Sequence, residues 1–133
     1  MSTMQNLNQI RARHALRFAK SHLKFDPKKK KEVTTIAGEN GGEVVKKIPP
    51  AIMNNGLLAA LAYSMDAKQT SWKEVFNGIA EHLSSSEMAT VPTEANRADS
   101  LLVFLTSKGT PSAKLREVTD EAMLWLEFAR RFV

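Results

Sequence analysis

Along most of this chain apolar residues recur at steps of three and four, the spacing that lines one face of an α-helix. The densest stretch runs from Val44 to Tyr63, VVKKIPPAIMNNGLLAALAY. Proline lacks an N–H and its ring crowds the preceding turn, so it opens a helix more readily than it continues one. Pro49–Pro50 therefore predicts a helix start, with a short helix Glu43–Lys47 running into the break. From Pro49 to about Met65 the pattern directs Ile52, Met53, Leu57, Leu58 and Leu61 inward. A segment apolar nearly all round is a central helix covered by its neighbours. Gly56 within it marks a close helix approach or a local weakness.

The other segments read in the same way. Met4 to Phe25 predicts a first helix, with Leu7, Ile10, Ala12, Ala15, Leu16, Phe18, Ala19 and Leu23 on a broad apolar surface. Ser71 and Glu74 have capping-box spacing and open a helix carrying Trp72, Val75, Phe76, Ile79 and Leu83 to Ser84–Ser86. Thr93 reads as the N-cap of a helix to about Ser107, with Ala95, Ala98, Leu101, Leu102 and Leu105 inside. Lys108-Gly109-Thr110-Pro111 is a stop-and-restart signal before a last helix from Ser112 towards Val133. No stretch alternates with period two. The expected fold is all-α, a compact single-domain bundle of about five to six helices over residues 1–133. A flexible Lys/Gly-rich loop is expected at about 26–42.

Charge changes this picture more than composition does. With 133 residues, 43% hydrophobic and 25% charged, the chain is an ordinary globule with enough surface to bury for one core. It has no cysteine, so neither a disulfide framework nor a thiol nucleophile is available. No apolar run approaches the ~18 residues of a membrane span, and no signal-peptide pattern opens the chain, so a cytoplasmic protein without membrane contact is expected. The net charge is +5. Residues 1–60 hold eleven Lys and Arg against four Asp and Glu, a balance of +7, and the rest of the chain stands at −2. A local basic surface attracts polyanions at range.

The cations are also ordered. On the predicted first helix Arg13, Arg17, Lys20 and Lys24 are spaced four, three and four, which places them within an arc of roughly 60°. No acid interrupts them, because the first in the chain is Asp26. Like charges at this spacing repel mildly, so a single-sign stripe is unfavourable unless something negative lies on it. Lys46 and Lys47, just before Pro49, add two cations, and the Lys28–Lys31 run continues from the end of the stripe.

Catalytic constellations are missing from the pattern. His14 and His22 lie roughly 12 Å apart along one helix, too far for a shared metal without a third element. With His82 they read as surface residues, and an acid–base nuclease built from His14 or His22 beside the arginines is a minor alternative. Glu117, Asp120, Glu121 and Glu127 read as a solvated or subunit-contacting face of the last helix. Trp72 and Trp125 read as core anchors. The GENGG loop at 38–42 lacks the Gly-Lys-Ser/Thr and the strand of a phosphate loop. Neither metal nor cofactor nor catalytic residue is implied.

Three blocks resemble a known family. They are Ile10-Arg11-Ala12-Arg13-His14-Ala15, the segment from Lys46-Lys47-Ile48-Pro49-Pro50 through Asn54-Asn55-Gly56-Leu57-Leu58 to Ala62, and the C-terminal Arg116–Ala122 with Trp125–Phe132. They are similar to the small helical subunit of type III-B CRISPR effector complexes, the fifth Cmr protein. The residues 28–42 carry no motif of that family. The resemblance implies a non-catalytic RNA-binding subunit, copies of which stack into a minor filament. That filament lies beside the backbone subunits holding guide RNA, with the large subunit as a further partner, and lines the groove of target RNA. The residues expected to hold RNA phosphates are Arg13, Arg17, Lys20, Lys24, Lys46 and Lys47. The alternatives are the type III-A counterpart subunit or a helical protein–protein adaptor that binds no nucleic acid.

Overall fold

The structure, a computed structural model, describes residues 6–34, 43–66, 68, 70–107 and 109–132. Within them lie six α-helices in chain order: α1 (Leu7–Ser21), α2 (Glu43–Asn55), α3 (Leu57–Ser64), α4 (Thr70–Ser84), α5 (Ala98–Thr106) and α6 (Ser112–Phe132). A 3-10 turn, Thr93–Ala95, precedes α5. The all-α bundle expected from the sequence is what forms, with one small addition. Residues Leu23–Asp26 (β1) and Lys31–Thr34 (β2) pair antiparallel as a hairpin, Leu23 opposite Thr34 and Asp26 opposite Lys31. No helix of the described residues is long and apolar enough to cross a membrane.

α1 is shorter than its pattern predicts. Asn6 caps it, its side chain accepting from the Asn8 amide at 2.9 Å. At the far end Ser21 Oγ donates to the Phe18 carbonyl, and the chain turns at His22. Pro27 disfavours helical backbone at the preceding residue, and Asp26 accepts from the Lys28 amide at 2.9 Å to set the hairpin turn. Lys24 is therefore a strand residue of β1, off the helix that was expected to carry it. The Lys28–Lys30 run forms the tip of that turn, with Lys30 at φ 53°. The glycines at 38, 41 and 42 lie outside the described residues.

The break around Pro49–Pro50 falls elsewhere than expected. α2 passes through both prolines without interruption. The chain accepts two missing N–H donors there because Val45, Ile48 and Ile52, at steps of three and four, are all buried on one face. Burying such side chains stabilises by ~1.5–3 kcal/mol each, enough to offset the broken ladder. The helix ends instead at Gly56. Its amide closes α2 on the Ile52 carbonyl, its own carbonyl opens α3 by accepting from Ala60, and its φ is +89°. A Cβ there would meet nothing within 4 Å, so Gly56 serves its backbone conformation, not a close helix approach. Met53, expected inside, is 77% exposed, whereas Ile52, Leu57 and Leu61 are buried.

The core forms around α4 and α6, whose Phe76, Ile79, Leu83, Val118, Trp125 and Leu126 are fully buried. α4 begins at Thr70, a residue before the expected cap, and Glu74 turns its carboxylate to His22 at 3.1 Å. Trp72 is half-buried, edge-on to Tyr63. α1 lies along α6 and crosses α4 closely at Gly78. A Cβ on Gly78 would stand 2.5 Å from the Phe18 ring, so only glycine permits that crossing. α2 packs on α3, α4 and α6.

Candidate nucleic-acid interface

α1 has two faces with opposite tasks. Ile10, Ala15, Phe18 and Ala19 are buried against α6 and α4. On the outer side Arg13, Arg17 and Lys20 are all exposed, and α1 contains no acidic residue. Among the described residues Arg17 and Lys20 make no ion pair. Arg13 does: its Nη2 donates to Glu87 Oε2 in the turn after α4. Lys46 and Lys47 are exposed on α2, a helix whose main packing partners do not include α1. The six cations therefore occupy three elements: a ridge of three on α1, Lys24 on β1 and two on α2.

Beside the ridge lies a groove of about 670 Å³ between α1 and α4. Arg17, His22, Asn77 and Ser85 are on its walls, and His14 and His82 line its depth. Two acids, Glu74 and Glu81, also line it.

Beneath the ridge runs a chain of polar side chains that pattern reading places at the surface. Arg11 donates twice to Glu121 of α6, Nε to Oε2 at 2.6 Å and Nη2 to Oε1 at 2.7 Å. Glu121 Oε2 is 2.9 Å from His82 Nε2, His82 Nδ1 is 2.7 Å from His14 Nδ1, and His14 Nε2 is 2.8 Å from Glu87 Oε1. Arg11, Glu121, His14 and His82 are all buried. His14 and His82 are thus interior residues, and Glu121 separates from the exposed Glu117, Asp120 and Glu127.

Burial pushes the Glu121 carboxyl up, but the hydrogen bonds from Arg11 and His82 outweigh it and bring it down to about 2. Burial is the largest influence on His82 and pushes its imidazole down. His14 and Arg11 push the same way, against the pull of Glu121. Hydrogen bonds from His14 first and Arg13 second hold Glu87 below the usual carboxylate range. The cluster thus has two carboxylates at its ends and two imidazoles between them. Among the described residues no group of three or more His, Asp or Glu is placed to hold a metal ion.

A family model described as CRISPR-associated protein (Cas_Cmr5) matches residues 7–133, nearly the whole chain. The chain belongs to that family. It is thereby a CRISPR-associated Cmr subunit, as the three sequence blocks implied. Searches of the curated proteins and of the solved structures found no significant match.

Proposed function

We propose that this Cmr subunit is non-catalytic and holds RNA in its complex by the phosphate backbone, in the cytoplasm. One observation supports this above the others: the outer face of α1 carries three exposed cations and no acid, and two of the three have no carboxylate partner among the described residues. A ridge of like charge costs a bundle stability unless a polyanion lies along it. Arg13, Arg17 and Lys20 are the central contacts, with Lys24, Lys46 and Lys47 extending them over neighbouring elements. The occupant is guide or target RNA held by shape and charge, because base pairing between the strands already carries the sequence information. Copies of the chain stack head to tail beside the backbone and large subunits. The basic N-terminal half and the exposed Glu117, Asp120 and Glu127 of α6 give two unlike surfaces for that contact.

The test is charge reversal at Arg17→Glu with Lys20→Glu in the full chain. RNA retention on a filter should fall by the same factor for unrelated sequences. Unchanged retention, or loss for one sequence only, overturns the reading. A second reading has one observation in its favour. Arg13 already binds a carboxylate, Glu87, so an acidic protein surface is the competing occupant, as in an adaptor without nucleic acid. RNA binding that is absent at low salt as well as high favours that reading. Pull-down with the type III-A backbone subunit in place of the III-B one would reassign the complex.

A further inference from the structure

The buried polar chain can be counted proton by proton. Three contacts stand in series: Glu121 to His82 Nε2, His82 Nδ1 to His14 Nδ1, and His14 Nε2 to Glu87. At 2.7–2.9 Å each is a hydrogen bond and each needs one proton. A carboxylate brings none, and both carboxyls here are held in the charged form by their partners. Two neutral imidazoles bring two protons. All three contacts are satisfied only when the two rings together hold three protons, and so carry one positive charge. A metal ion does not substitute, because two nitrogens on one tetrahedral zinc lie ~3.3 Å apart.

The two ends of the series differ. Glu121 is buried and clamped twice by Arg11. Glu87 reaches in from the turn after α4 and stays 38% exposed at its side chain. Its two oxygens take one donor each, Oε2 from Arg13 and Oε1 from His14. A backbone phosphodiester presents the same feature, two non-bridging oxygens sharing one negative charge. Arg17 stands one helical turn along and lines the groove with His14, so an anion at this point continues onto the ridge.

We propose that Arg13 and the proton-sharing His14–His82 pair form a seat for one RNA backbone phosphate, and that Glu87 fills this seat as an internal competitor until RNA displaces it. The proposal rests on the RNA-backbone reading and adds to it a gated contact and the residue that gates it. Glu87 keeps the seat charged and ordered without RNA and weakens the first contact RNA makes.

Fluorescence anisotropy with a labelled single-stranded RNA and the full chain tests this at fixed salt. Glu87→Gln removes the competitor's charge and should bind about fivefold tighter than the native chain. Glu81→Gln, which removes an acid from the neighbouring groove outside the seat, should gain clearly less. In an Arg13→Ala background the Glu87→Gln gain should vanish. On adding RNA, the 15N resonance of His14 Nε2 should shift while that of His82 Nε2 holds still. Equal gains for Glu87→Gln and Glu81→Gln, or unmoved His14 resonances, overturn the seat. If Arg17→Glu with Lys20→Glu still weakens binding in that case, the ridge stands without the gate. If neither pair of variants alters binding, both readings fall.

Discussion

α1 makes two arginine–glutamate pairs from positions two residues apart, and they do opposite things. Arg11 and Arg13 lie about 200° apart around the helix. Arg11 points inward to a doubly bonded Glu121 on α6, and Arg13 points outward to Glu87 in a surface turn. The same functional groups thus give a fold contact on one face and an exchangeable contact on the other. Water decides between them. In the interior a lone charge has no substitute partner, so the pair must stay whole. At the surface, water or another anion replaces a carboxylate at little loss, and this makes Arg13 fit for binding. His14 and His82 join the two pairs, so the structural end fixes the orientation of the exchangeable one.

The largest expected effect comes from breaking the inner pair. Glu121→Ala leaves the Arg11 guanidinium buried and unpaired, and denaturant unfolding should show a loss of about 3–5 kcal/mol. Glu87→Ala should leave the melting temperature nearly unchanged. Equal effects of the two variants would erase the distinction between the faces. Next in size is acid. The folded-state Glu121 carboxyl sits at about 2 against an ordinary 4.5. A depressed carboxyl adds stability that is present above pH 4.5 and lost as pH falls toward 2, roughly 3 kcal/mol in all. The depressed His82 imidazole acts with the same sign. The folded chain takes up its second proton at a lower pH than the unfolded chain does, so stability erodes as pH falls below the ordinary imidazole value of 6.5. A stability profile by chemical denaturation from pH 8 to pH 2 checks both, and a profile flat down to pH 2 contradicts them.

Smaller steps sharpen the comparison. Gly78→Ala forces the Phe18 ring away from α4 and should cost about 1–3 kcal/mol. It should also loosen the His14–His82 contact, read as faster exchange of the ring N–H protons. Gly56→Ala places a side chain at φ +89° in open space and should cost about 1–2 kcal/mol through backbone strain alone, leaving those ring protons as they are. Together the two glycines separate damage at the α1–α4 crossing from damage elsewhere.

The bundle was legible wherever burial and periodicity agree. The inner residues of α4, α5 and α6, such as Phe76, Leu101 and Trp125, are where their spacing puts them. The prolines were misleading because local rules weigh a missing N–H but not the burial of Val45, Ile48 and Ile52 that holds α2 together across them. The end of α1 was overrun because Leu23 and Lys24 fit the helical phase, and the pairing that captures them comes from β2, eleven residues away for Leu23 and Thr34. On α1, the shared exposure of Arg17 and Lys20 is readable from charge phase. The buried network was not, since no single residue of it carries a motif. A signal did exist: His14 lies four residues from both Ile10 and Phe18, and Glu121 four before Trp125, so each sits on an apolar stripe. Polar groups on apolar stripes of two helices are candidates to meet one another.

The outer face of α1 is proposed to hold RNA phosphates. Each phosphate contact on a single strand contributes about 0.7 to the slope of log affinity against log salt. The direct measurement is that slope for the native chain and for the Arg17→Glu, Lys20→Glu variant, on two unrelated RNA sequences. A native slope steeper by about 1.4 on both sequences, with equal melting temperatures, is expected if the ridge holds phosphates. Identical slopes for the two proteins would contradict it.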